Sequence, residues 1–326
     1  MAASSEAVAA GPIPIEEIEA ARERIAASAL RTPIVRLGVE DAPAEIYLKL
    51  ENLQPMGSFK VRGSGNALAL VPAERIAAGL WTASAGNMAQ ALAWHAQRRG
   101  LPCTVVVPDT APTTKLDGVR RLGGKIEEVP FDEWIDLFRT RQRDGMEGLF
   151  VHPFSDRAVM AGNGTIGLEI LEDLPDVDAV LIPYGGGGLS CGIASAIRAR
   201  KPDVKIYACE VETAAPLAPS LAAGEPVDAS YSPSFVDGIG SPVVFAEMFA
   251  LASKLFDGSL VVDVPEAAQA IRIMAERNRV VAEGAGGVPV AAAMHGKAGG
   301  GKIVCVVTGG NIDSSKLATI LQGSVP

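Results

Sequence analysis

Hydrophobic positions along this chain recur in two rhythms. From Pro14 the run IEEIEAARERIAASAL carries Ile15, Ile18, Ala21 and Ile25 at helical spacing, with acidic residues early and arginines late, an order that suits the helix dipole. A first helix is predicted there. Farther on, short apolar runs alternate with amphipathic stretches, and Cys103 to Val107, Lys125 to Val129, Ala179 to Ile182, Lys205 to Cys209 and Ile303 to Val307 read as strands. That alternation predicts an α/β fold with parallel sheets. Three segments run from a strand into a loop of glycine or small polar residues and then into a helix: WTASAGNMAQALAWHAQ, VLIPYGGGGLSCGIASAIRA and IVCVVTGGNIDSSKLATIL. Such strand ends are where α/β folds bind ligands.

Residues 76–150 hold two or three complete strand and helix units, enough for a small inserted domain. Residues 1–75 and 151–326 then form a larger domain in two pieces, and the cleft between the lobes is the expected active site. The first eleven residues, MAASSEAVAAG, lack the basic start and long apolar segment of a secretory signal and read as a disordered tail. No convincing internal repeat is present.

With 326 residues, of which 48% are hydrophobic, the chain can bury a large core. Its net charge of −9 argues against a nucleic-acid surface, and no stretch approaches the roughly 18 apolar residues of a membrane span. A cytoplasmic enzyme is expected. Cys103, Cys191, Cys209 and Cys305 are far apart and show neither a disulfide framework nor zinc spacing. The three histidines, His95, His152 and His295, include no i, i+4 pair, which argues against a histidine-based metal site or triad.

Four motifs carry candidate chemistry. GGGGL, Gly185 to Leu189, follows a strand and opens a helix, so successive backbone N–H groups would face an anion at the positive end of the helix dipole. It matches neither the dinucleotide G-x-G-x-x-G pattern nor a Walker loop, and phosphate binding is favoured over a flexible turn. Lys60 lies in GSFKVRG between Phe59 and Val61, an apolar setting that lowers an amine's pKa and lets it form an imine. A surface lysine is the plain alternative, but an anion cradle in the same chain favours pyridoxal 5'-phosphate (PLP), which needs both groups. SAGNMAQ, from Ser84 to Gln90, stands at a helix start, where free N–H groups can hold a substrate carboxylate and Asn87 can reach a phenolic oxygen. Taken alone, it reads as simple N-capping by Ser84 or Asn87. TGGN, Thr308 to Asn311, ends a strand, where Thr308 could present a neutral hydroxyl to a heteroaromatic nitrogen, or be an ordinary turn.

SFKVRG, SAGN, HPF followed by AGNGTIGLEI between His152 and Ile170, GGGGL, VAEGAGG around Glu283, and TGGN stand in one order along the chain. Together they resemble the threonine/serine dehydratase and serine racemase group of fold-type II PLP enzymes, from about Ile15 to Leu321, and are closer to the dehydratases. The resemblance implies a tryptophan synthase β-like fold: two open, twisted, mostly parallel sheets flanked by helices, with the active site between the lobes. It implies that Lys60 is the Schiff-base lysine, that Gly185, Gly186, Gly187, Gly188 and Leu189 hold the phosphate, that Asn87 contacts the 3'-oxygen and that Thr308 contacts the pyridine nitrogen. Phe59 and Glu283 complete the expected cofactor site, and Ser84, Ala85, Gly86, Asn87 and Met88 border the substrate. A neutral Thr308 would leave the ring a weaker electron sink than an aspartate would, favouring expulsion of the β-group. The expected reaction is β-elimination from a 3-hydroxy amino acid, giving a 2-oxo acid and ammonia, with Lys60 also the base at Cα. A homodimer is the assembly the resemblance implies.

The sequence also departs from the group. Ala85 stands where the racemase has the serine that serves the second face of Cα, which disfavours racemisation. Met88 replaces the usual histidine after the asparagine, so a more apolar pocket and a bulkier substrate such as phenylserine are expected. Where metal-binding members have carboxylates, Glu210 matches but Pro216 stands in place of a second acidic ligand; Glu210 with Glu212 could still assist a hard cation, but an exposed acidic pair is the commoner explanation, and no metal site is assigned. The chain ends soon after TGGN, which predicts no regulatory domain of the long biosynthetic kind. An amino-acid racemase, a β-replacement synthase and a non-catalytic PLP-binding protein are the rival readings.

Overall fold

The computed structural model describes residues 11–111 and 113–326, and ten strands and thirteen α-helices are found among them. The stretch expected to be a tail lies, apart from Gly11, outside the described residues. Helix α1 (Ile15–Ile25) buries Ile18, Ala21 and Ile25, as its spacing predicts. Strands β1 (Ile34–Arg36) and β2 (Glu45–Leu50) follow, then helices α2 (Lys60–Ala69) and α3 (Ala73–Ile76). Next come β3 (Leu80–Ala83), α4 (Asn87–Arg99), β4 (Cys103–Pro108), α5 (Thr113–Arg121), β5 (Lys125–Val129), α6 (Phe131–Thr140) and β6 (Leu149–Phe150). The rest of the chain contributes α7 (Arg157–Asp173), β7 (Ala179–Pro183), α8 (Gly188–Arg200), β8 (Lys205–Val211), α9 (Leu217–Ala223) and α10 (Ala246–Leu255). It closes with β9 (Gly258–Val262), α11 (Val264–Ile273), α12 (Gly284–Met294), β10 (Lys302–Val307) and α13 (Ser314–Leu321).

Two sheets organise these elements. A six-stranded sheet runs β1-β2-β10-β7-β8-β9 and is parallel except for the β1–β2 pair. A four-stranded sheet, β5-β4-β3-β6, is parallel throughout and drawn wholly from residues 80–150. Parallel sheets need helices on both faces, so their strands are apolar on both sides. Accordingly Val180, Ile182, Val304 and Val306 join one core, while Leu181, Ile303, Cys305 and Val307 join another across the same sheet. The smaller sheet repeats this, with Val105 and Val107 on one face and Val106 and Trp81 on the other. All four cysteines are buried free thiols. No helix of the described residues is long and apolar enough to cross a membrane.

A buried group of charges ties α2 to this frame. Arg62 donates through Nε and Nη2 to Glu51 at 2.8 Å each, and to Glu169 of α7 at 2.7 and 2.9 Å. Lys49 of β2 donates to Glu169 at 2.5 Å and to the Thr32 carbonyl at 2.6 Å, while Thr32 Oγ1 donates to Glu51 at 2.6 Å. All four charged residues are buried. Two cations face two anions, and the hydrogen bonds replace much of the lost hydration. Removing one member leaves an uncompensated charge, so Arg62→Leu is expected to cost about 3–5 kcal/mol in urea denaturation. Breaking the exposed pair between Arg272 of α11 and Glu276, just beyond that helix, should cost less than about 1 kcal/mol. Equal effects of the two changes would show that the buried group does not anchor α2.

Candidate active site

Lys60 is the first residue of α2, with Phe59 as the N-cap. The segment before it is pinned by a bridge between Ser58 and Gly309 and by the Phe59 amide donating to the Thr308 carbonyl at 3.1 Å. Lys60 therefore stands beside the loop that leaves β10. Its Nζ donates to the Pro153 carbonyl at 2.7 Å and lies 5.1 Å from the Phe59 ring centre. Burial lowers the amine's pKa to about 8, against the opposing pull of the nearby Glu283 carboxylate. A nucleophilic amine near neutral pH is the chemical result.

The glycine loop lies at the end of β7 and opens α8, with Gly187 as N-cap at φ 85°, a conformation that favours glycine. A Cβ on Gly186 would lie 2.3 Å from Phe154 Cγ, and one on Gly188 would lie 2.4 Å from the Phe154 carbonyl oxygen. Bare backbone is required there, and the first amides of α8 have no intrahelical partner to claim them. Leu189 sends its side chain into the core, so only its backbone is available to a ligand.

Helix α7 sets the distance between lysine and loop. A Cβ on Gly162 would come within 2.5 Å of the Arg62 carbonyl oxygen, and one on Gly192 of α8 within 2.3 Å of the Met160 carbonyl oxygen. Asn163 Nδ2 also donates to the Gly188 carbonyl at 3.2 Å. Helices α2 and α8 thus both pack against α7 at backbone distance, which is what AGNGTIG achieves.

Asn87 begins α4, but its side chain does not cap the helix; the N-cap is Gly86, with no side-chain cap among the described residues. Ser84 instead accepts the Gly86 amide at 3.2 Å within the loop. The Asn87 amide group donates to both oxygens of Glu283, at 2.9 and 3.0 Å, and its oxygen accepts from Asn311 Nδ2 at 2.8 Å. These bonds join the end of the smaller sheet to two loops of the larger one. A side chain at Gly86 would meet nothing within 4 Å, so this part of the loop borders open space beside the half-buried Ala85.

Met88 does not fit the expectation placed on it. It is 1% exposed and belongs to the core cluster containing Leu92, Leu116 and Val159, because the buried face of α4 recurs at Met88, Leu92 and Ala96. It is a packing residue, and the apolar substrate wall assigned to it is withdrawn. The Glu210 and Glu212 pair is corrected as well: Glu210 is buried and accepts from the Leu217 and Ala218 amides at 2.8 and 2.9 Å and from Ser259 at 2.6 Å. It fixes the start of α9. No group of three or more metal-ligating side chains occurs among the described residues.

Thr308 is the outlier of this loop. Its Oγ1 is buried with no hydrogen-bond partner among the described residues, an unfavourable state unless a bound group supplies one. An amine of lowered pKa, a bare glycine cradle at a helix start and an unpartnered neutral hydroxyl are what PLP needs. Sequence reasoning missed Asn311 as a partner of Asn87, and missed the segment Val236 to Ile239, where the Ile239 Cα lies 3.0 Å from a Cβ built on Gly185. That segment carries no periodic signal. Asn311, by contrast, already stood in TGGN.

Comparison with known proteins agrees with this geometry. A profile of the family described as pyridoxal-phosphate dependent enzymes matches residues 25–309. The L-threonine ammonia-lyase of Thermotoga maritima is 40% identical over 95% of this chain and 78% of its own length. The catabolic L-threonine dehydratase of Staphylococcus aureus is 33% identical over 95% and 92% of the two chains. Among solved structures, maize serine racemase superposes with a TM-score of 0.85 at 30% identity, covering 96% of this chain and 98% of its own. The processed form of threonine deaminase isoform 2 from Solanum lycopersicum does so with a TM-score of 0.82 at 32% identity, covering 98% of this chain and 92% of its own.

Two outcomes follow for the site. Thr308→Val removes an unpartnered hydroxyl, so the melting temperature of cofactor-free protein should hold or rise while the increment gained on adding PLP shrinks. An undiminished increment would mean that the hydroxyl does not serve the cofactor. With an amine pKa of about 8, the rate of PLP capture, followed as growth of the visible band, should climb from pH 6.5, reach half its maximum near 8 and level off about one unit higher. The neutral fraction is roughly a tenth at pH 7. A rise centred near 10 would mean that Lys60 is solvated like an ordinary lysine.

Proposed function

Since this chain belongs to the family of pyridoxal-phosphate dependent enzymes and is an ammonia-lyase of the threonine and serine dehydratase group, we propose that it converts threonine, and serine more slowly, to the 2-oxo acid and ammonia. One observation carries the reading: Lys60, of lowered pKa, donates to the Pro153 carbonyl beside the loop that carries Thr308, in a chain whose relatives are named for threonine. When bound, PLP supplies an electron-withdrawing ring that acidifies Cα of the amino acid. The Gly185 to Leu189 backbone would hold its phosphate, Thr308 its ring nitrogen and Asn87 its 3'-oxygen, with Phe59 beside Lys60. Glu283 and Asn311 hold the Asn87 amide in one orientation.

The remaining steps belong to the protein. Amides of the Ser84 to Met88 loop receive the substrate carboxylate. Lys60, neutral, takes the proton from Cα, and the Pro153 carbonyl orients the ammonium so formed. The bond from Cβ to the hydroxyl breaks, and the hydroxide leaves as water with the proton that Lys60 took from Cα. The released enamine becomes an imine, a second water hydrolyses it, and the net change is loss of ammonia. Ala85 offers no proton to the opposite face of Cα, which is why elimination is preferred to inversion. The expectation of a phenylserine-like substrate rested on Met88 and goes with it. The family resemblance also supports a homodimer acting in the cytoplasm.

The test is a panel of L-threonine, L-serine and phenylserine given to the PLP-saturated protein. Threonine should release oxo acid at least tenfold faster than phenylserine, with little inverted amino acid on chiral chromatography. Mainly inverted product would establish a racemase. No oxo acid from any member of the panel would overturn the reading.

A further inference from the structure

With Met88 in the core, some other side chain must bound the space for the β-substituent. Phe154 directly follows Pro153, whose carbonyl accepts the Lys60 amine at 2.7 Å. Its half-buried ring lies against the glycine loop, so that a Cβ on Gly186 would fall 2.3 to 2.7 Å from three of its atoms. The ring therefore forms a wedge against the anion cradle, one residue from the carbonyl that holds the reactive amine.

That wedge is braced from behind. The His152 ring meets Phe154 edge-on at 4.5 Å, and Phe245 and Phe138 stand at 5.3 and 5.6 Å. His152 Nδ1 accepts the amides of Phe154 and Ser155 at 3.2 and 2.9 Å, a role open only to the neutral ring, and burial holds the His152 pKa down at about 3. Arg141 donates to the Ser155 carbonyl at 2.5 Å, fixing the next residue as well. A wall held this way cannot swing aside for a larger substrate.

On the reading of the site given above, Cα faces Lys60. We propose that the β-substituent extends from it toward the glycine loop and that Phe154 is the specificity-determining residue of this enzyme, setting the upper size of that substituent so that a hydrogen or a methyl is admitted and an aryl group is not. A rigid apolar wall discriminates roughly 10–200-fold per added carbon, and an aryl ring exceeds that allowance.

The experiment uses PLP-saturated wild type, Phe154→Ala and Phe154→Leu. Cofactor affinity is measured first, by quenching of tryptophan fluorescence, and Phe154→Leu carries the test if Phe154→Ala does not fold. The ratio of kcat/KM for threonine over phenylserine should fall at least tenfold in the variant, through a gain on phenylserine. A separate readout needs no elimination: 2-aminobutyrate and phenylalanine lack the leaving hydroxyl, and their binding is followed by the shift of the visible band. The variant should gain at least tenfold in affinity for phenylalanine relative to 2-aminobutyrate. Unchanged binding preference in a variant that still takes up PLP overturns the proposal. A changed binding preference in a protein that releases no oxo acid supports Phe154 as the wall and sinks the ammonia-lyase substrate reading instead.

Discussion

The position of the reactive amine depends on four charges kept out of water. Arg62 stands two residues after Lys60, and two residues on a helix are roughly 200° apart, so the two side chains leave opposite sides of α2. The Arg62 guanidinium is planar with donors in a fixed fork, and it is met by carboxylates from the end of β2 and from α7. That arrangement fixes the rotation of α2 about its own axis. With Arg62 held inward, Lys60 has only the cleft to face. An apolar contact at the same position would bury as much surface, yet it would tolerate a sliding helix.

Much of the fold was legible because parallel strands are apolar on both faces and stand out as continuous runs. Lys125 to Val129 is found with the bounds its residues suggested, while the strand from Lys205 continues to Val211 because Glu210, polar in type, is buried against the amides of α9. The glycine loop and Lys60 were legible for a different reason: their chemistry is local, contained in five or six consecutive residues. What escaped was chemistry that joins distant segments. Lys49 sits in LKLEN, which reads as the polar side of an ordinary strand, and its partner Glu169 lies more than a hundred residues away. Asn87 looked like a cap because its true partners, Glu283 and Asn311, belong to the other end of the chain. The misreading of Met88 was avoidable, since its i, i+4 relation to Leu92 marks the buried face of α4.

The site concentrates features that ordinary packing would remove. A lysine is held where its ammonium is disfavoured, a threonine hydroxyl is buried without a partner among the described residues, and a loop of four glycines has given up its side chains. Each is a local cost, and on the proposed reading a bound cofactor would relieve all three, by consuming the amine, engaging the hydroxyl and filling the cradle. The Asn87 clasp differs in kind, because its bonds to Glu283 and Asn311 are already made without any ligand. Part of the cleft is therefore organised in advance, and part waits for its guest.

The glycine seam along α7 divides the molecule into what can vary and what cannot. Since α2 and α8 both rest on the backbone of α7, a methyl group added at Gly162 or Gly192 would push the amine or the phosphate cradle off its mark. No such backbone contact constrains a side chain at Gly86, and a smaller group in place of the Phe154 ring would leave the seam untouched. Divergence toward new substrates can then proceed by exchanging loop side chains around a fixed caliper, so that one scaffold keeps its cofactor chemistry while its choice of amino acid drifts.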